Sequence, residues 1–316
     1  MAGPILANGL DLSEPWWTLP EYQEGELYLP GQSRLGPDDM VVLEKVSLSA
    51  EKHKLSIPAM PQAAMEASQM LKNPDSDVMD IAKIIARDPV MAAQILRFAN
   101  SAMYGARFPV DTIERAVSHL GMRHLQTVVL EMAMNRISHD VGAKAYAQQE
   151  WRHSITCAMI ARRIGEKFKL DADLCYLAGL LHDIGRLPVI SALSKRGLAQ
   201  GDPIEDSPTE IIVESLHRAV GVQVADSWDL PPVVRDAIAH HLTGRLEGEG
   251  SSSAFPSTKV AEAAGDICIA IGEGRFRKPF AILEIPSLPE IGIKRDDLRV
   301  FLRDDLPDII AKMKTD

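Results

Sequence analysis

Cysteine is scarce in this chain. The three in 316 residues, Cys157, Cys175 and Cys268, are odd in number and widely spaced. That excludes a disulfide scaffold and fits buried or idle thiols in a reducing compartment. Long apolar runs are missing too: none approaches the roughly 18 residues that a membrane span needs. Cations are outnumbered, with 34 Lys and Arg against 44 Asp and Glu and a net charge of −10. Duplex nucleic acid is thereby disfavoured as a partner, because phosphate contacts need clustered positive charge. The first residues, MAGPILANGLDLSEPWW, have neither a basic start nor a long apolar stretch, so they do not read as a secretory signal. No run of alternating polar and apolar residues marks a strand. A hydrophobic share of 46 % is ordinary for a globular chain, and the length allows one large domain or two modest ones. These features together predict a cytoplasmic protein without a membrane segment.

What is present is uneven. Residues 1–50 hold two cations, Arg34 and Lys45, and eight acids. Pro4, Pro15, Pro20, Pro30 and Pro37 interrupt this stretch, with Trp16, Trp17, Tyr22 and Tyr28 between them. Such proline spacing stops a long helix. Residues 1–40 therefore read as an acidic extended arm whose aromatics clamp onto the main body or onto a partner. From about residue 40 the pattern is helical. Val78, Ile81, Ile84 and Ile85 form one apolar stripe. Asp88-Pro89 restarts the chain as cap and first helical residue. Asp111-Thr-Ile-Glu114 resembles a capping box; Ile113, Ala116, Val117 and Leu120 follow at helical spacing, and Gly121 stops the run. Further helices are expected over 128–134, 155–164, from Asp171, over 211–228, 233–241 and 259–271, and from about Arg295. The stretch 244–257, GRLEGEGSSSAFPS, reads as a polar loop, as does GEGRFRKP at 272–279.

The chemistry concentrates at Leu181-His182-Asp183-Ile184-Gly185, at the end of an apolar helix. Adjacent His and Asp point about 100° apart on a helix, yet imidazole and carboxylate differ in reach and can converge on one ion. Two further ligands come from His153, early in a helix, and Asp266, a carboxylate interrupting the apolar face of Ala263, Ala264, Ile267 and Ala270. Two imidazoles and two carboxylates suit Mn, Fe, Co, Ni or Mg better than a structural zinc. Such an ion lowers the pKa of bound water, and the hydroxide attacks phosphoesters. Asp183 and Arg186 are the candidate catalytic residues, Arg186 as a partner for phosphate. His217, His240 and His241 form a possible second metal or substrate site. The alternative is a set of histidines hydrogen-bonded inside a helical core.

The order His153, His182-Asp183, Asp266 resembles the HD superfamily of metal-dependent phosphohydrolases. Ile57-Pro58-Ala59-Met60-Pro61, then NPDSDVMDIAKIIARDPVMAAQILRFANSAMYG (73–105) and TIERAVSHLGMRHLQTVVL (112–130), is similar to the HDOD family, the HD-related output domain of bacterial signalling proteins. Ala178-Gly179-Leu180-Leu181-His182-Asp183-Ile184-Gly185 fits it as well. The resemblance implies an all-α, two-lobed bundle with a regulatory role in bacterial signal transduction. On that basis residues 41–285 are the HDOD-like domain, with an N-lobe over about 41–145 and an HD-like C-lobe over about 146–285. Residues 286–316 are a helical tail. The family's relatives have often lost metal ligands, whereas this chain keeps the quartet. It lacks the Gly-Tyr-Pro element of the related cyclic di-guanylate phosphodiesterases: His240-His241 runs on into Leu242-Thr243-Gly244. Arg186 stands where Lys is usual, replacing a compact ammonium by a planar fork.

Two function classes follow. One is a non-catalytic module that binds a ligand or a signalling protein, the latter through Trp16 and Trp17 of the arm. The other is a metal-dependent phosphohydrolase, which needs an open metal beside a cleft. Asn100, Ser101 and Tyr104 beside Gly105 either bind a ligand or satisfy backbone groups where a helix ends. Arg275, Arg277 and Lys278 are expected to be a solvated loop.

Overall fold

The computed structural model describes residues 35–52, 55–73, 75–101, 109–204, 207–241, 255–273 and 281–313. The arm with Trp16 and Trp17, Tyr104-Gly105, and the cluster Arg275, Arg277, Lys278 lie outside the described residues. Among the described residues there is no strand, and no helix is long and apolar enough to cross a membrane. The chain divides into two compact units, one of residues 58–140 and one of residues 1–57 with 141–316.

The 58–140 unit contains α2 (Gln62–Lys72), α3 (Val78–Ala86), α4 (Pro89–Ala99) and α5 (Ile113–Asp140). α2, α3 and α4 each pack on α5. Ile81, Ile85 and Ile95 are fully buried there, each contributing about 2 kcal/mol of apolar burial. The starts follow the expected chemistry. Asp77 Oδ1 accepts from Met79 N at 2.8 Å, and Asp88 Oδ1 accepts from Val90 N at 3.0 Å with Pro89 in the first turn. The cap of α5 is one residue later than the sequence suggests. Thr112 Oγ1 accepts from Arg115 N, while Asp111 instead pairs with the Arg115 guanidinium at 2.5 Å. At Gly121 the backbone turns to φ 69°, so α5 is two helical segments meeting at the expected break. Asn100 ends α4 and clasps the chain that re-enters at Val110. Its Oδ1 accepts from Val110 N, and its Nδ2 donates to Val110 O, all at 2.8 Å. Ser101 Oγ donates to Phe98 O. Both side chains therefore satisfy backbone groups at the helix end. Replacing Asn100 by Ala removes its two contacts with Val110 and the one from Nδ2 to Leu96 O, each worth about 1 kcal/mol. We expect a loss of about 2 kcal/mol in urea unfolding; a loss under about 0.5 kcal/mol would show the clasp to be dispensable.

The other unit holds α1 (Pro37–Glu51), α6 (Lys144–Lys167), α7 (Ala172–Leu181), α8 (Arg186–Ser194), α9 (Pro208–Ser227), α10 (Pro232–His240) and α11 (Pro256–Ile271). Three short helices follow: α12 (Ser287–Glu290), α13 (Arg295–Val300) and α14 (Leu306–Met313). α1, placed by sequence in the N-lobe, groups here instead, because the Gln223 amide of α9 donates to Ala50 O at 2.9 Å and Val46 is buried. α6, α7 and α11 pack mutually, and α8 and α10 pack on α9. The C-terminal helices share their core, where Phe301, Leu302 and Leu306 join Ile160, Ile164, Ile267 and Cys268. All three cysteines are buried and none forms a disulfide.

Candidate metal centre

The centre forms where α7 ends. Asp171 caps α7 by accepting from Leu174 N, and the helix runs through an apolar sequence to Leu181. Gly179 lets α7 lie against α6: a β-carbon there would stand 2.8 Å from Cys157 O and 3.0 Å from Ala161 Cβ. This close approach brings His182 beside His153, with ring centroids 5.5 Å apart. The turn Asp183–Gly185 follows, and α8 starts at Arg186, whose N–H donates to Asp183 O at 2.9 Å. Gly185 presses on α9: a β-carbon there would lie 1.9 Å from His217 O and 2.3 Å from Gly221 N. Only glycine permits that contact, and it carries His217 to the same carboxylate.

Asp183 is the hub. Its Oδ2 lies 3.0 Å from His182 Nε2 and 3.5 Å from His153 Nε2. Its Oδ1 lies 3.1 Å from His241 Nε2 and 3.4 Å from His217 Nε2. His153, His182 and Asp183 thus make one three-donor group, and Asp183, His217 and His241 a second that shares the carboxylate. The two groups expected to be separate sites are one centre. His240 does not enter it: its side chain is 38 % exposed and sits 3.9 Å from Asp236. Next-door residues on a helix face about 100° apart, so one of the His pair turns in and the other out. Asp266 is fully buried on α11 and belongs to neither three-donor group. Its neighbour Gly265 occupies the face toward the centre, where a β-carbon would stand 3.8 Å from His182 Nε2.

The proton arrangement decides what this set can hold. His182 Nδ1 lies 2.8 Å from Gly179 O, His217 Nδ1 2.8 Å from Glu214 O, and His241 Nδ1 3.1 Å from Ala237 O. A carbonyl only accepts, so each Nδ1 carries the proton and each Nε2 presents a lone pair. Those lone pairs face a carboxylate that also only accepts, and His217 and His241 oppose each other Nε2 to Nε2 at 3.3 Å. Acceptors converging on acceptors call for a cation or extra protons at the centre. Protons on His241 are disfavoured: burial pushes its pKa down to about 4, against the pull of Asp183 and with the push of His182 and His217. The donor set therefore fits a divalent ion, with backbone carbonyls orienting the imidazoles behind it.

Arg186 corrects an expectation. It is not available to a phosphate, being fully buried. Its Nε lies 2.8 Å from Glu150, its Nη1 contacts Glu214 and its Nη2 contacts Glu210. Burial alone would lower its pKa, but Glu150, Glu210, Glu214 and Asp183 hold the guanidinium well above its ordinary value. The three glutamates escape a reading confined to motifs. Their signal is positional: Glu210, Glu214 and His217 recur at i, i+4 and i+7 on one helix, and Glu150 precedes His153 by three on another.

Comparison with known proteins bears on the fold and the family. A protein of Treponema pallidum is 27 % identical over 220 residues, covering 64 % of this chain and 42 % of the relative. The chain thus spans less than half of that relative's length. A candidate metal-dependent phosphohydrolase from Shewanella amazonensis has the same fold, with TM-score 0.68 and 22 % identity over 89 % of this chain and 100 % of the other. A candidate signal-transduction protein from Marinobacter aquaeolei aligns with TM-score 0.61 and 19 % identity, over 90 % of this chain and 66 % of the other. At such identities the likeness is one of fold. The sequence model of the HDOD domain matches residues 57–243, more than half of the chain, which therefore belongs to the HDOD family.

Proposed function

We propose that this chain is a non-catalytic regulatory module of bacterial signal transduction, cytoplasmic, with its HD-type centre serving as a metal-bound tie between helices. One observation carries the reading: His153, His182, Asp183, His217 and His241 are each between 1 and 4 % exposed. A hydrolytic ion needs an open coordination position reached by water and substrate. Here α6, α7, α9 and α10 cover the donors, and Arg186, beside Asp183, is already committed to three carboxylates. His153, His182 and Asp183 would hold one divalent ion, and Asp183, His217 and His241 a second. In this reading the output passes through a ligand or a signalling protein, with the acidic arm and its Trp16 and Trp17 as the docking element.

The second reading is an HD-type phosphohydrolase. It is favoured by the two complete donor groups with their Nε2 atoms facing inward. When bound, the ion would supply a water of lowered pKa. The test is metal analysis of the purified protein, followed by phosphodiesterase and phosphatase screens with Mn²⁺ or Fe²⁺. Bound metal without turnover supports the module. Robust turnover that disappears in Asp183→Ala overturns it.

A further inference from the structure

Arg186 sits where three parts of the centre meet. Its main-chain N–H donates to the main-chain carbonyl of Asp183, the residue that bears the hub carboxylate. Its Nε faces Glu150, three residues before His153 on α6. Its Nη1 faces Glu214, three residues before His217 on α9, and its Nη2 faces Glu210, one turn further back on α9. Residues three apart share a helix face. The guanidinium therefore grips α6 and α9 on the very faces that carry His153 and His217. Glu214 meets His217 through its main-chain carbonyl, 2.8 Å from Nδ1, and its carboxylate lies 3.8 Å from the same atom.

We propose that Arg186 is a positioning residue for the metal centre: through Glu150 on one side and Glu214 on the other, it sets the placement of His153 and His217 on either side of Asp183. The inference rests on the metal-bound reading above and goes beyond it, because nothing in a donor set alone says what holds the two helices at the right separation. A planar fork suits the task. Its Nη1 and Nη2 donate to Glu214 and Glu210 while its Nε lies 2.8 Å from Glu150, whereas an ammonium is a single point with rotating donors. The arrangement also accounts for Arg rather than Lys after the HDIG turn. Lysine has one nitrogen and cannot hold Glu150, Glu210 and Glu214 at three separate edges.

The test uses the full-length chain, stripped of metal and titrated with Co²⁺, together with imidazole ¹⁵N–¹H spectra of the metal-free form. Arg186→Lys keeps the buried positive charge and should fold. It is expected to weaken Co²⁺ binding 10- to 100-fold, the range for partners behind a ligating histidine. The isosteric variants separate the two arms. Glu214→Gln should shift the His217 imidazole signals and leave His153 in place, and Glu150→Gln should do the reverse. If the variants lower stability while Co²⁺ affinity and imidazole signals stay as in wild type, Arg186 is a fold residue only and the proposal is wrong. Diffuse shifts at all imidazoles in either glutamine variant would also overturn it. A wild-type chain that takes up no Co²⁺ refutes the metal reading instead, and the metal-free imidazole spectra then decide the positioning claim by themselves.

Discussion

Asp183→Asn should leave the protein without bound metal and, once metal has been removed from both, make it more stable than the wild type. The two halves of this result have one cause. In the metal-free wild type the Asp183 carboxylate faces four imidazole nitrogens at 3.0 to 3.5 Å. Three of those rings, His182, His217 and His241, carry their proton on the far nitrogen, against a helix carbonyl. At their three near nitrogens a lone pair meets a carboxylate, and both groups accept. An asparagine at 183 supplies two N–H donors of nearly the same shape, satisfying nitrogens that were opposed, and it removes a buried charge. A satisfied buried polar contact against an unsatisfied one is worth about 1–3 kcal/mol. With metal present the order reverses. An ion at 1,000 times its dissociation constant adds about 4 kcal/mol to the wild type and nothing to a variant that does not bind it. Thermal and urea unfolding of both proteins, with and without chelator, gives four curves whose ranking is the prediction. Asp183→Asn holding stoichiometric metal, or unfolding no later than the stripped wild type, would contradict the acceptor-only geometry.

How far the centre could be read from the chain follows from which contacts are local. His182 and Asp183 are adjacent, the apolar run of α7 and the Asp171 cap announce their helix, and Gly185 marks the turn; all three are local and legible. Helix starts at Asp88 and Asp171 are legible for the same reason, since a cap and the residues it serves lie within one turn. The choice of Thr112 over Asp111 is not. Both can cap, and the outcome depends on Arg115 drawing the Asp111 carboxylate to itself. His240 and His241 are indistinguishable as sequence. The packing of α10 on α9 decides which enters the centre, and that packing rests on contacts distant along the chain. Arg186 shows the limit most clearly. Read alone beside a metal motif it is a free cation for phosphate. Its partners are 24 to 36 positions away on other helices, and no periodicity links them to it. The same holds for α1, whose place depends on one amide of α9 reaching Ala50. Local chemistry names the elements, and the pairing of α6, α9 and α10 around the HD turn is settled by packing between helices.

Two glycines at the centre, outwardly alike, should respond oppositely to alanine. In Gly185→Ala the new methyl would lie 1.9 Å from His217 O, 2.3 Å from Gly221 N and 2.7 Å from Gly221 Cα. All three are backbone atoms of α9, so no side chain can rotate away, and α8 must separate from α9 by more than about 1 Å to reach ordinary contact distances. Overpacking against flexible side chains costs about 1–3 kcal/mol, and a rigid backbone neighbour places this case at or above the top of that range. Separation also withdraws His217 from Asp183 and strains the Arg186 contacts to Glu210 and Glu214, so metal should be lost along with stability. Gly265 lies inside α11, and its added methyl meets only His182 Nε2, at 3.8 Å. An ordinary van der Waals contact is tolerated, and alanine is favoured over glycine in a helix interior by up to about 1 kcal/mol. Gly265→Ala should therefore match or exceed wild-type stability in the metal-free state. The methyl nevertheless takes up space beside a donor nitrogen, so Co²⁺ affinity should fall while the fold holds. Urea unfolding at 25 °C with chelator, followed by Co²⁺ titration, separates the outcomes. Gly185→Ala within 1 kcal/mol of wild type would mean that α8 and α9 are not locked by this contact and that the route carrying His217 to the hub is a different one.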